Sequence, residues 1–469
     1  MAGTSSETRG YAQVVDVEEL TIVNHAGEEG DLRAVFIEIE VTNSIFEPGI
    51  QGSVLIYDAL GLINRMPIVG EERLKLRYKT PENREKKGDF VVWRIGDEYP
   101  DEKGNSSTYR LYFCSPELLD NARNLVSHSY PNTDDVMSIV NDIMGRYLNV
   151  TKEVRTRNPV IKDPAKVLVI PTYRPIDAID MLRRRAYTEE GGSDYFLFFE
   201  RFDAWYFTTL DRLVQEPINN RETDAVEGDG GATLPDLESW KENWWAYASD
   251  KYLGDSIAAK DIRRINVLRI QSRFDSIQKV AQGAYDNEVV QYSIIDKAVT
   301  STTFNHETDG EVLMGGSADR FREEGAVGDE SKQRPNTPAF IAQNGVTDSG
   351  FAGSQAPKVF FRLKDPEEKE GVVKKSGLAY QSTRVLLEQI RVSITVPGDT
   401  MVDVGDIIHL VIPRFDSLGQ AQPDKFLYGK YIVANLRDSI LAPDKHTMSL
   451  DLHRDGYWQA IGNSELEQS

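Results

Sequence analysis

Six histidines, at positions 25, 128, 306, 409, 446 and 453, are the residues of this sequence best suited to hold a metal or shuttle a proton. None forms an H-x-x-x-H pair or stands beside the single cysteine, Cys114. Metal sites draw on closely spaced His and Cys, so this spacing predicts neither a metal site nor a cofactor. His409 alternates within VGDIIHLVIP and reads as one side chain on a strand face. Cys114 sits in the strand-like STYRLYFCSP with no histidine near in sequence to activate it, which predicts a buried, inert thiol. With 75 Asp and Glu, any two carboxylates can be nominated as a glycosidase pair, so none stands out. G-x-S-x-G, Walker A and dinucleotide fingerprints are absent. GDGGA at 228–232 is acidic and follows no strand, so it reads as linker rather than phosphate cradle. The arginines Arg183, Arg184 and Arg185 splay around a helix axis and predict a solvated face. Trp240 and Trp244 share a helical face, either as anchors of a subunit interface or as a satellite core under the adjacent linkers. No catalytic residue is expected, and the chain reads as non-enzymatic.

The elements that would carry these residues are mostly strands. At 469 residues the chain is long enough for two to four domains. It has no run of eighteen apolar residues, so no transmembrane helix and no membrane anchoring are expected. MAGTSSETRG, at 1–10, lacks an apolar segment and reads as a flexible arm rather than a secretory signal. A lone cysteine allows no internal disulfide and fits assembly in a reducing compartment. The net charge of −21 argues against a generic nucleic-acid binder, although an acidic wall would suit a passage through which DNA slides.

VVDVEELTIV, AVFIEIEVT, SVLIYD, RLKLRY, FVVWRI and YRLYF predict six short strands with no helical signal between them. Helices follow over SPELLDNARNLV, with Leu125 and Val126 on the apolar face, over the stretch around Val136, Ile139, Val140, Ile143 and Met144, and over PIDAIDMLRRRAY. KVLVIP reads as a strand, and YFLFFERFDAWYFTTL as a hairpin turning near Arg201–Asp203.

One phrase occurs twice. VGEERLKLRY spans 69–78 and VGDIIHLVIP spans 404–413, each followed by two more strands, with Thr108 and Thr447 three residues before Leu111 and Leu450. The alignment pairs Gly70 with Gly405, as glycines free to take positive φ, and Glu71 with Asp406, as acids that keep the turn solvated. We read this as an internal repeat, although strand-turn phrases of this kind also arise independently.

SIFEPGIQGSVLIYDALGLINRMPIVGEERLKLRY, with Gly52 and Asp58, resembles the opening barrel of the central baseplate hub protein of contractile-tailed (T-even-type) phages. That family is related to the N-terminal hub region of type VI secretion VgrG spike proteins. VGDIIHLVIP through YIVANLRDSILAPDKHTMSLDLHRDG resembles the family's second barrel, and NVLRIQSRFDSIQKVAQGAYDNEVVQYSIIDK, with Gly283 and Asn287, resembles its opening. The tracts 213–250 and 305–378 match nothing familiar.

The resemblance implies a mainly β fold with two similar small β-barrels flanking an α+β domain, plus irregular insertions. The expected divisions are a first barrel at 11–115, an α+β domain at 116–212, a linker with a Trp-rich helix at 213–254, a discontinuous second barrel at 255–304 and 379–458, an extended insertion at 305–378 and a tail at 459–469. It further implies a homotrimeric virion protein, assembled in the host cytoplasm, whose six barrels form a pseudo-sixfold ring. Its partners would be a hexameric tail tube or tube-initiator protein, a trimeric central spike, and possible passengers in the lumen: the tape measure protein, and DNA bound without sequence specificity. The rival readings are a glycan-binding tail module and a cell-wall hydrolase.

Overall fold

The computed structural model describes residues 14–456 apart from 60, 67, 81–84, 102–105, 132–134, 164–166, 190–192, 219–245, 250–262, 274, 306–308, 310–357, 365–369, 413–423 and 425–426. Trp240, Trp244, the N-terminal arm, the C-terminal tail and much of the 305–378 tract lie outside the described residues.

The first half folds into β1 Asp16–Val23, β2 Glu29–Asp31, β3 Phe36–Ser44, β4 Gln51–Asp58, β5 Arg73–Lys79, β6 Lys86–Pro100 and β7 Ser107–Cys114. The period-two alternation of RLKLRYK sends Leu74, Leu76 and Tyr78 into a core shared with Ile39, Val41, Val54, Phe90 and Phe113. One helical turn, α1 Leu62–Arg65, interrupts what the sequence predicts as strands alone.

A second unit comprises β13 Ala246–Ala248, β14 Val267–Ser272, β18 Ile390–Pro397, β19 Ile407–Val411, β20 Gly429–Leu441 and β21 Lys445–Arg454. Its strands pair in the order β13–β19–β20–β21–β18–β14, matching β1–β5–β6–β7–β4–β3 of the first unit. The registers agree as well. Val92 faces Phe113 as Val433 faces Leu452, and Gly52 faces Val41 as Val392 faces Ile270. Both long strands shift register at the same point, between Val92 and Arg94 and between Val433 and Asn435. The copies differ at one edge, where β1 runs antiparallel to β5 but β13 runs parallel to β19.

The backbone moves the repeat alignment by one residue. Glu71 N–H donates to the Val92 carbonyl at 2.7 Å and Val92 N–H to the Glu72 carbonyl at 2.8 Å. In the second unit Gly405 N–H donates to Val433 and Val433 N–H to Asp406, both at 2.9 Å. Glu71 is therefore the counterpart of Gly405, with φ 68° against 79°, and Glu72 is the counterpart of Asp406. Gly70 also has positive φ, at 110°. Asp406 is not solvated as expected. It is fully buried, and so is Glu72, because each folds back to accept a backbone N–H three residues earlier: Asp403 at 2.9 Å and Val69 at 2.6 Å.

Between the units lie α2 Pro116–Arg123, β8 Val126–Tyr130, α3 Val136–Tyr147, β9 Val154–Arg155, β10 Leu168–Tyr173, α4 Pro175–Arg185, β11 Phe196–Glu200, β12 Trp205–Thr209 and α5 Leu210–Gln215. The helix expected to include Val126 ends at Arg123; Val126 opens β8, and Leu125 is exposed. Val136, Ile139, Val140, Ile143 and Met144 of α3 are all buried, with Asp135 capping the helix. The arginine run is only partly solvated. Arg184 is exposed, whereas Arg183 is mostly buried against Asp180, and Arg185 forms a two-pronged ion pair with buried Asp163 at 2.9 Å.

A separate sheet joins β15 Asp286–Tyr292 to β16 Val299–Asn305 and, in parallel, to β17 Lys358–Leu363. The sequence places 286–304 with the second barrel and 358–363 in the insertion. They pair with each other instead, after the short helix α6 Ser276–Ala281, because one sheet face is covered by a π-helical segment, Val373–Ala379, leading into α7 Tyr380–Leu387.

Gly405→Ala is expected to cost roughly 1–2 kcal/mol, the penalty of a left-handed conformation with a Cβ, and the new Cβ would also meet Phe199 Cζ at 3.0 Å. At the equivalent position Glu71→Gly is expected to leave stability unchanged or raise it. Urea unfolding of both variants checks whether the two sites share this backbone.

Candidate functional site

The two repeats and the α+β segment meet at one junction. β20 continues past β19 and pairs antiparallel with β3, from Asn435 opposite Ser44 to Leu441 opposite Glu38, so one sheet crosses from unit to unit. An Arg437–Glu40 ion pair decorates its exposed face.

Beneath that ladder, Asp438 is fully buried. It accepts from Tyr78 OH at 2.7 Å and Lys86 Nζ at 2.8 Å, and its other oxygen lies 2.8 Å from His446 Nε2. Burial alone would raise this carboxyl. The Lys86 ammonium and the His446 contact outweigh burial and hold Asp438 well below the ordinary carboxylate range. Lys86 also lies over the Phe202 ring, 5.4 Å from its centroid. Tyr78 and Lys86 come from the first unit, Asp438 and His446 from the second.

The hairpin tip between β11 and β12 supplies the third party. Arg201, expected at a charged turn, is buried, and its guanidinium donates to Asp406 Oδ1 at 2.6 Å and to the Val404 carbonyl at 2.7 Å. Burial lifts the Asp406 carboxyl to about 6 despite Arg201, with neighbouring Asp403 adding to the rise. Glu200 reaches the first unit, accepting from Ile50 N–H at 3.0 Å and Ser115 Oγ at 2.5 Å, and it pairs with Lys152. Asn43 Nδ2 bridges the Glu200 carbonyl and Asp403. Signals for these residues existed in the sequence: an Arg among acids between two strands rich in aromatics, and a lone Asp within the alternating VANLRDSIL.

A cleft of about 840 Å³ opens over this junction, lined by Lys86, Glu117, Lys152, Glu200, Arg201 and Asp403 among others. Its charges are largely committed to one another. Glu200 has both oxygens bound, so it is poorly placed as nucleophile or base. Glu117 is buried, and burial together with the Glu200 charge raises its carboxyl to about 7. No group of three or more His, Cys, Asp or Glu able to hold a metal occurs among the described residues. The junction is built to hold three parts together.

The other singled-out residues are dispersed. Gly52 lies on β4, where a Cβ would come within 2.3 Å of both the Glu40 carbonyl and Phe113. Asp58 is buried at the end of that strand, 3.5 Å from Tyr109 OH. Glu71 is exposed and pairs with Arg123. Gly283, with φ 76°, and Asn287 come together, Asn287 Nδ2 donating to the carbonyls of Gly283 at 2.9 Å and Leu378 at 3.1 Å. That bond ties the separate sheet to the π-helical segment. Cys114 is buried, and burial raises its thiol to about 11. His409 is half-buried on β19.

No protein-family model matches the sequence, and no curated protein matches it. Among solved structures, the fold is similar to a tail protein from Neisseria meningitidis MC58, at 11% identity over 95% of this chain and 97% of that one, with a TM-score of 0.51. It is likewise similar to the 43 kDa tail protein of prophage MuSo2 from Shewanella oneidensis, at 10% identity over 93% and 98%, with a TM-score of 0.50. A looser overlap, TM-score 0.43 at 8% identity over 97% of this chain and 55% of the other, is with a chain of the Francisella PdpA–VgrG complex. The mainly β fold expected from the sequence is thus one found in phage tail proteins.

Glu117 makes stability depend on pH. Its carboxyl is raised from 4.5 to about 7 in the folded chain, so the folded state holds its proton longer than the unfolded state does. Its contribution is therefore complete below about pH 4.5 and is lost as pH rises through 7. Glu117→Gln is expected to stabilise the protein above pH 7, by roughly 3 kcal/mol at most, and to flatten stability between pH 4.5 and 7. Denaturant titrations of both forms at pH 5 and pH 8 test this.

Proposed function

We propose that this chain is a structural protein of a contractile tail, the homotrimeric central hub of its baseplate. It joins a sixfold tube to a threefold spike and encloses part of the channel through which DNA leaves. The observation that carries this reading is the repeat. One chain holds two β units with the same strand order and register, joined edge to edge through β20 and β3. Three such chains offer six similar units, which is how a threefold object can meet a sixfold one. The likeness in fold to two tail proteins supports the same reading.

The partners that follow are the tube or its initiator on one side and a trimeric spike on the other. The tape measure protein and DNA would occupy the lumen without sequence-specific contacts. The surplus that gives a net charge of −21 would, on the lumen wall, repel phosphate and keep DNA from sticking. The junction favours this reading over a hydrolase, because the carboxylates of Asp406, Asp438 and Glu200 are spent on Arg201, Lys86 and Lys152. On this reading the chain belongs to the tail baseplate of the virion and is assembled in the host cytoplasm.

Light scattering of the purified chain, alone and mixed with its spike, tests the proposal. The expected mass is three chains, with the spike co-eluting. A chain that stays monomeric both alone and with spike would refute the hub.

A further inference from the structure

The junction inside the chain specifies a junction between chains. In the second unit, β20 extends beyond β19 and gives its free edge to β3 of the first unit. In the first unit β6 is the counterpart of β20, and among the described residues its stretch from Arg94 to Pro100 pairs with β7 on one edge only. The counterpart of β3 is β14, which among the described strands pairs with β18 alone. Each chain therefore carries one free copy of either half of the joint it has already made internally. An unpaired strand edge is a template for another strand.

We infer that β6 of one copy pairs antiparallel with β14 of the next copy, repeating between chains the β20–β3 ladder within each. The inference rests on the trimeric hub reading and names the surface that closes it. Register follows from the repeat. Tyr99 corresponds to Ser439 through their shared places opposite Thr108 and Thr447, and Arg269 corresponds to Glu40 opposite Ser393 and Ser53. Ser439 faces Glu40, so Tyr99 faces Arg269 of the next copy. Likewise Arg437 faces Thr42, which sets Gly96 opposite Ser272. Pro100 has no amide hydrogen and ends the ladder.

Charge favours a second copy as the occupant. In the internal joint the ion pair is Arg437 on the long strand with Glu40 on its partner. At the places of that pair the free halves carry Gly96 on β6 and Arg269 on β14, with the acids Asp97 and Glu98 following Gly96 and Arg94 two residues before it. Glu98, Tyr99, Val267 and Arg269 are all exposed. Neither Glu98 nor Arg269 forms an ion pair among the described residues. Opposite charges across a strand pair favour it, and the acids of β6 meet the one charge of β14, a base, whereas two copies of β14 would bring only like charge together. The complementarity is head-to-tail, which generates a ring when the rotation closes.

The double variant Tyr99→Cys with Arg269→Cys tests this directly, because facing residues on paired strands bring their Cβ atoms within disulfide reach. The native Cys114 is buried and does not compete. After mild oxidation of the protein, alone and with spike, a non-reducing gel is expected to show a covalent species of three chains. Tyr99→Cys with Val267→Cys places the thiols on a diagonal and is expected to cross-link far less. Wild-type trimers without cross-linking of the first pair, equal cross-linking of both pairs, or a bond confined to one chain would each overturn the inference while leaving the trimer standing. A chain monomeric in both conditions would remove the hub reading, and this inference with it.

Discussion

The buried carboxylate of Asp438 is the constraint on which the arrangement of this molecule depends. It sits in the strand that crosses from one repeat to the other, and its three partners come from both. A carboxylate buried among Tyr78, Lys86 and His446 is tolerable only while all of them are in place, because stranding either charge of a buried pair costs on the order of 3–5 kcal/mol. The two units are thus fixed in one orientation as well as held in contact. Packing nearby is equally exacting: a Cβ on Gly398 would fall 2.0 Å from the His446 ring.

The α+β segment uses the same device. Arg201 enters the turn that opens β19, and Glu200 beside it binds the backbone and Ser115 of the first unit. A hairpin with both faces buried carries these two charges to the place where the repeats meet. Buried charge of this kind contributes less to net stability than to specifying one geometry. In the proposed hub that geometry would matter, since an error in the angle between repeats would be multiplied around a ring.

Much of this was legible in the sequence. Alternation in RLKLRYK and the aromatic runs around Arg201 marked their strands, and the phrase beginning Val-Gly marked the repeat. An alignment anchored on glycine falls one residue out of step. In the molecule the fixed point is the buried carboxylate, Glu72 or Asp406, that folds back onto a backbone amide, and Glu71 adopts the left-handed conformation beside it. Local sequence does not reveal which acid will be buried, because that depends on Arg201, some two hundred residues from Asp406. The regrouping of 286–305 with 358–363 was hidden for a similar reason. Parallel pairing of β15 with β17 spans a long intervening tract and leaves no periodic signature. The partial burial of the arginine run likewise depends on Asp163 and Asp180, which helix periodicity does not show.

Central to the proposed hub is that two equivalent units in each chain become six in a closed ring. Rotational analysis of end-on electron micrographs of the isolated oligomer tests it most directly. A closed ring of six such units requires strong sixfold density, modulated by a weaker threefold component from the α+β segments and the separate sheets. Pure threefold density with no sixfold component, or an open assembly with no closed ring, would contradict it.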